Sequence, residues 1–268
     1  MKISGKKAFY RGYNLRRWMS ATPLEKPQGP AEVPHIEVDE ETKEVIREIL
    51  SQMKNTVEIL FFTSNTCGNR DTNWCVPTEE LLDLLAELAP PGKLVVRKIR
   101  YEENSDEFTK YNVEPQRVPV IYLLDGAIRY LGAPLGEEVR AFIETIVRIS
   151  VGETKLRPKT KKGLEVLTSS GNGKRVEVMT VVTPSCPYCP YAVLMANMFA
   201  YDSKGKVIST TVEAYEQGDI ADAYQVTAVP TVVLRREDQD MGNVEFIGVP
   251  PESDLLKKVL DYSGINPQ

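Results

Sequence analysis

The sequence predicts an α/β protein made of two tandem units, each a central mixed sheet with helices on both faces. Three observations carry that expectation. Short apolar runs of strand type alternate with segments whose apolar residues recur at helical spacing, in the order β-α-β-α-β-β-α, and the order is written twice. Landmark residues recur as well. Tyr111-Asn112-Val113 leading to Val118-Pro119 is answered by Tyr224-Gln225-Val226 leading to Val229-Pro230, and Leu131-Gly132-Ala133-Pro134 by Ile247-Gly248-Val249-Pro250. Tyr111 and Tyr224, Pro119 and Pro230, and Leu131 and Ile247 stand 113, 111 and 116 residues apart, the near-constant offset of a duplication. Finally, 268 residues are long for one small domain and comfortable for two.

Residues 1–38 form a basic, proline-rich N-terminal extension. Lys2, Lys6, Lys7, Arg11, Arg16 and Arg17 come first, without the apolar core of a secretory signal. Pro23, Pro27, Pro30 and Pro34 then exclude a continuous helix. The extension reads as a solvated tail or as an over-long start with Met19 as the true first residue; contact of its basic cluster with RNA or an acidic surface is the alternative.

The first unit spans 39–151. Asp39 caps a helix on which Val45, Ile46, Ile49, Leu50 and Met53 share a face. A strand over Val57 to Phe62 follows, then a leucine-rich helix from Thr78 to Leu88, with Thr78 as N-cap and Glu79 and Glu80 in its first turn. Leu94 to Ile99 is a strand and Phe108 and Tyr111 mark a polar helix. Val118 to Leu124 and Ile128 to Leu131 are strands joined at Asp125-Gly126, and a helix runs from about Leu135 to Ile149. The second unit spans 152–268. A charged linker from Gly152 to Lys162 leads to a short helix near Leu164 to Leu167, a turn at Gly171-Asn172-Gly173 and a strand over Val176 to Val182. A helix to about Phe199, strand Val207 to Val212, a helix near Ile220 to Tyr224, strands Thr231 to Leu234 and Val244 to Ile247, and a helix near Asp254 to Tyr262 complete it.

Chemistry concentrates at Cys186-Pro187-Tyr188-Cys189, where an apolar strand runs into two cysteines at the head of a helical segment. Helical residues three apart share a face, so these thiols can close a disulfide locally. The unpaired N–H groups and dipole of a helix start favour thiolate over thiol. Cys186, at the mouth of the turn, is the expected exposed nucleophile, and Cys189, one turn inside, the sheltered resolving thiol. Pro187 fits the first helical position and Tyr188 is expected to shield the pair or contact substrate. Zinc is disfavoured, since only two further cysteines and His35 remain as ligands, and no metal is expected.

Strand, CPYC and helix, followed by Ala228-Val229-Pro230-Thr231 opening a later strand, resemble the thioredoxin and glutaredoxin superfamily. Two such units with CPYC in the second are similar to the protein disulfide oxidoreductases of archaea and thermophilic bacteria, from about residue 39 to 265. The resemblance implies two thioredoxin-like domains, cis bonds at Pro230 and Pro119, and backbone hydrogen bonding of an extended substrate at Val229. It departs in one respect. The buried carboxylate that thioredoxins keep six residues ahead of the nucleophile is Thr180 here, so proton transfer at Cys189 needs another group. Glu177 and Glu213 are the nearest acids and read as solvated charges, outside the catalytic set.

In the first unit the matching position holds Cys67 and Cys75, with seven residues between them rather than two. An unbroken helix would hold those sulfurs about 12 Å apart along its axis, so the segment must loop out. A structural disulfide, a second and slower redox site, or two unrelated thiols remain open; Trp74 would pack over the pair or touch clients.

Composition narrows the function. A net charge of −5 argues against nucleic acid as the main partner, and no apolar run of spanning length occurs. A cytoplasmic location is expected, with the redox-active or metal-bound use of cysteine pairs usual there, intracellular proteins of hyperthermophiles being the exception. The expected activity is thiol–disulfide exchange with client proteins through Cys186 and Cys189. No bound cofactor is expected, because no phosphate-cradling glycine motif follows a strand, so electrons would come from a separate flavoprotein reductase resembling thioredoxin reductase. The alternatives are an electron donor to a peroxiredoxin and a non-enzymatic thioredoxin-fold chaperone or binding protein. Cysteine-protease chemistry lacks a base, His35 lying in the tail.

Overall fold

The computed structural model describes residues 33–69, 71–170 and 173–265. Most of the basic extension, Arg70 within the first cysteine loop and the turn expected at Gly171-Asn172 lie outside them. The first unit comprises α1 (Glu40–Leu50), β1 (Val57–Thr63), α2 (Cys75–Leu88), β2 (Leu94–Arg100), α3 (Ser105–Tyr111), β3 (Val120–Leu123), β4 (Ile128–Leu131) and α4 (Glu138–Val151). The second comprises α5 (Pro158–Ser169), β5 (Val176–Val182), α6 (Cys189–Asp202), β6 (Val207–Glu213), α7 (Gly218–Ala223), β7 (Thr231–Arg236), β8 (Asn243–Ile247) and α8 (Glu252–Ser263).

Each unit folds into the strand order second-first-third-fourth, and the two join edge to edge in one eight-stranded sheet, β2-β1-β3-β4-β6-β5-β7-β8. The seam is the parallel pair β4–β6, from Ile128 opposite Ser209 to Leu131 opposite Val212. Joining there satisfies two rows of edge N–H and C=O groups that would otherwise be open for pairing. Because β4, β6 and β5 run parallel and β1 reaches β4 through two antiparallel pairings, β1 and β5 point the same way. The residues that follow both strands therefore lie beyond the same end of the sheet, where α/β proteins assemble reactive groups.

Alternation along the strands sorts the core. Ile59, Phe61, Ile121, Leu123 and Tyr130 pack beneath α1, α2 and α4, while Leu60, Phe62, Val120 and Tyr122 pack with Phe108 of α3 on the opposite face. The second unit places Val176, Val178, Val232 and Leu234 with α5, α6 and α8. Met179, Val181 and Val233 join Ile220 of α7 on the other side.

Several boundaries differ from expectation. α2 opens at Cys75 rather than Thr78, whose buried hydroxyl donates to Trp74 O, so Thr78 braces the first turn from inside instead of capping it. α5 opens at Pro158, because proline's fixed φ and missing N–H suit a first turn; the expected linker is helical from that point. Residues 33–38, assigned to the tail, are part of the first unit. Ile36 and Val38 pack on its core, and Glu80 of α2 receives the Ile36 N–H at 2.9 Å and pairs with His35.

Two contacts brace the units at the redox end. Arg117, beside the turn into β3, forms a bidentate pair with Asp219 at 2.6 and 2.7 Å, and Gln217 donates to Arg117 O at 2.9 Å. Burial alone would raise the Asp219 carboxyl; the Arg117 guanidinium instead holds it below the ordinary carboxylate value. In the other direction, Glu137 N donates to Pro184 O at 2.8 Å, tying the start of α4 to the loop that ends in Cys186.

Candidate redox site

Cys186 and Cys189 are joined in a disulfide with Cα atoms 5.5 Å apart. The helix starts later than expected. Cys189 is the first residue of α6, Pro190 occupies its first turn and Tyr188 is the N-cap, so Pro187 lies in the turn before the helix. The reason is local: Cys186 N closes a turn on Thr183 O, and Cys189 N donates to Cys186 Sγ at 3.1 Å, which places that sulfur at the free N–H groups of the helix start.

The expected contrast in exposure is small in the oxidised form: Cys186 is 6% exposed and Cys189 fully buried, because both sulfurs pack with Val182 and Val193. Access comes from the rim. Pro187 is exposed and Tyr188 is 66% exposed, so the tyrosine stands out on the surface and does not shield the pair. Val229 packs against the cluster that contains both cysteines, Pro230 is buried behind it, and Val229-Pro230 is cis.

The first unit repeats this skeleton more closely than its spacing suggested. Cys67 and Cys75 form a disulfide with Cα atoms 5.7 Å apart, which removes the reading as unrelated thiols. Cys75 is the first residue of α2, its N–H donates to Cys67 Sγ at 3.0 Å, and both sulfurs lie in the cluster with Val118, whose bond to Pro119 is also cis. The extra residues leave the strand through positive φ at Cys67, Gly68 and Asn69 and return before the helix. The loop therefore displaces chain, not sulfur. Cover is what differs: Cys67 is fully buried, Cys75 is 3% exposed, and Trp74 is half-buried beside them.

The nearby acids were misread as solvated. Glu177 is buried, receiving Arg235 Nη2 at 2.6 Å, Arg235 Nε at 3.0 Å and Thr210 Oγ1 at 2.6 Å. It alternates with Val176 and Val178, which face α6, so it points to the other face of β5, away from Cys189. Glu213 is buried at the end of β6, where its carboxylate accepts Glu216 N at 2.7 Å and Tyr215 N at 3.2 Å and holds the turn. Glu177 thus lies on the face away from Cys189, while the Glu213 carboxylate is committed to the turn after β6.

Sequence reasoning missed Glu138. It opens α4, is 2% exposed, and neither carboxylate oxygen has a hydrogen-bond partner among the described residues. Burial, with a smaller push from the adjacent Glu137 charge, raises its carboxyl to about 8. A hydrophilic residue between Gly136 and Ala141 gave no sequence signal of burial; the signal lies in the packing of α4 on α6. Among the described residues no group of cysteine, histidine and carboxylates could hold a metal ion, and no helix is long and apolar enough to cross a membrane.

Comparisons with known proteins agree with this geometry. A family model described as a thioredoxin domain matches residues 175–261, within the second unit. The crystal structure of a protein disulfide oxidoreductase from Aeropyrum pernix K1 is similar at 38% identity with a TM-score of 0.75, covering 87% of this chain and 97% of that one. An N-terminal domain of the alkylhydroperoxide reductase AhpF from Enterococcus faecalis shares the fold at 16% identity, with a TM-score of 0.68 and coverage of 83% and 100%. A comparison with curated proteins returns no match. At this identity and coverage, with a strand-to-helix disulfide in each of two fused thioredoxin-like units, the chain belongs to the protein disulfide oxidoreductase family.

Proposed function

We propose that this thiol–disulfide oxidoreductase works through Cys186 and Cys189, with the first-unit pair as a structural crosslink. The supporting observation is the difference at the first cysteine of each pair: both disulfides sit at a helix start, but Cys186 is 6% exposed beside the exposed Pro187 and Tyr188, whereas Cys67 is fully buried. In reduction, the Cys186 thiolate attacks one sulfur of a client disulfide, forming a mixed disulfide and expelling the other client sulfur as a thiolate that takes up a proton. Cys189, deprotonated, then attacks Cys186 Sγ, forming the protein disulfide and releasing the second client thiol. Two electrons pass from the dithiol to the client. Val229 supplies backbone hydrogen bonds to the extended client, and Pro187, Tyr188 and Pro230 form the walls it lies against.

The partners in this reading are cytoplasmic client proteins, with electrons supplied by a separate flavoprotein reductase and no resident cofactor. A peroxide-reducing partner is the second reading. It draws on the shared two-unit shape of the alkylhydroperoxide reductase domain and on the presence of one open and one sealed pair. Insulin reduction driven by dithiothreitol tests the assignment. Wild type accelerates it and Cys186→Ser does not; retained activity in Cys186→Ser moves the chemistry to the first unit.

A further inference from the structure

Position 180, where the strand carboxylate of thioredoxins would stand, is a buried threonine whose hydroxyl has no partner among the described residues. α6 packs over β5 there, and α4 packs on α6. α4 and α6 run side by side in the same direction. Gly136 and Glu137 meet Pro184 ahead of α6, Thr145 Oγ1 accepts from Asn197 Nδ2 at 2.9 Å at mid-helix, and Thr154 Oγ1 donates to Asp202 Oδ2 at 2.7 Å past the end of α4. Glu138 is seven residues before Thr145 and Cys189 eight before Asn197, two helical turns in each case. Glu138 therefore lies on the stripe of α4 that faces α6, level with Cys189 and Pro190.

One turn on, Phe142 shares the buried cluster of Cys186, Cys189 and Val193 and packs edge-on against Tyr130 of β4 at 5.1 Å between ring centroids. Helices in contact lie about 8–10 Å apart axis to axis, a gap that a glutamate directed at its neighbour crosses. Thr180 of β5 and Thr211 of β6 sit opposite one another beneath α6, both buried with unpartnered hydroxyls. The titratable groups in electrostatic reach of Glu138 are Glu137 ahead of it and Tyr130 of β4, whose hydroxyl accepts from Asn197 of α6; none is cationic.

We propose that Glu138, contributed by the first unit, takes the proton of the Cys189 thiol as the mixed disulfide resolves and returns it when the protein disulfide is reduced. In the first direction the S–H proton passes to the carboxylate, the Cys189 thiolate attacks Cys186 Sγ, the client sulfur leaves as a thiolate, and solvent protonates it. In reverse, a client thiolate attacks Cys186 Sγ and forms the mixed disulfide, the Cys186–Cys189 bond breaks, Cys189 leaves as a thiolate and the Glu138 carboxylic acid supplies its proton. A carboxyl that titrates near the working pH is efficient in both directions, and one without a hydrogen-bond partner is not committed elsewhere. The fusion of the units then has a chemical purpose, because the second unit's exchange uses a carboxyl from the first.

This inference rests on the assignment of exchange to Cys186 and Cys189, and the test separates the two. Full-length reduced wild type, Glu138→Gln, Glu138→Asp and Cys186→Ser are mixed with a self-quenched glutathione disulfide in stopped flow from pH 5.5 to 9.5, and alkylation of Cys186 by iodoacetamide is timed in parallel. Glu138→Gln is expected to slow resolution of the mixed disulfide about tenfold or more at pH 7, with the deficit closing as pH rises and thiols ionise unaided. Cys186 alkylation stays within about twofold, and Glu138→Asp recovers part of the lost rate. A wild-type pH profile in Glu138→Gln, or an equal slowing of alkylation and resolution, overturns the role of Glu138 while Cys186→Ser is inactive. Turnover in Cys186→Ser overturns the assignment beneath it. Should Glu138→Gln not fold, the Asp variant decides: its resolution profile must shift while alkylation holds.

Discussion

The two cysteine pairs share a skeleton and differ in their surroundings. In both, a strand ends four residues before the first cysteine, a helix begins at the second, the second N–H donates to the first sulfur, and a cis Val-Pro bond precedes the unit's third strand. In the first pair Cys67 is fully buried and Cys75 is 3% exposed, while in the second Cys186 is 6% exposed beside the exposed Pro187 and Tyr188. A dithiol skeleton by itself therefore does not make an exchange site. Thiol–disulfide exchange needs an approach path for a client sulfur and a route for protons, and these lie in the rim residues and in α4.

The comparison sharpens most at the nucleophile. Cys186→Ser should lower insulin reduction by about a hundredfold or more, since no second accessible thiolate replaces it. Next comes thiol reactivity. In the reduced protein, a brief iodoacetamide pulse followed by mass spectrometry should label Cys186 about tenfold faster than Cys189, which lies inside the helix turn; preferential labelling of Cys189 reverses their roles. The double variant Cys67→Ser, Cys75→Ser should keep most activity and lose roughly 2–3 kcal/mol, the chain-entropy value for so short a loop, or roughly 5–10 °C in Tm. Lost activity at an unchanged Tm would make the first pair catalytic.

A smaller effect reports on Glu138. Its carboxyl is raised from 4.5 to about 8 in the folded protein. Below pH 4.5 it is neutral in both states. Between 4.5 and 8 the unfolded chain releases the proton that the folded chain retains, so its contribution to stability falls as pH rises and is fully lost above about 8. Glu138→Gln should therefore gain several degrees in Tm over wild type as pH is raised from 4.5 to 9, by calorimetry; a constant difference would contradict the shift. Smallest is Tyr188→Ala, expected to raise the KM for insulin about threefold with kcat held, as loss of one exposed aromatic contact would.

Much of this was legible beforehand. Strand β5 was expected at its observed bounds and the duplication at its observed order, because both rest on apolar periodicity that tertiary packing does not override. The helix starts were less legible. Thr78 and Pro187 carry strong capping signals, yet the helices open at Cys75 and Cys189, where hydrogen bonds to a cysteine sulfur set the first turn. The burial of the acids was not legible. Glu177 is buried because Arg235, fifty-eight residues on, pairs with it across β5 and β7, and Glu138 because a helix of one unit packs on a helix of the other.

The account is tested most directly by trapping the mixed disulfide. Cys189→Ser, reduced and mixed with a disulfide-bonded peptide, cannot resolve what its nucleophile captures, and peptide mapping then locates the attachment. The account predicts the peptide on Cys186, with Cys67 and Cys75 unmodified; attachment to Cys67 or Cys75 at a comparable rate would contradict it.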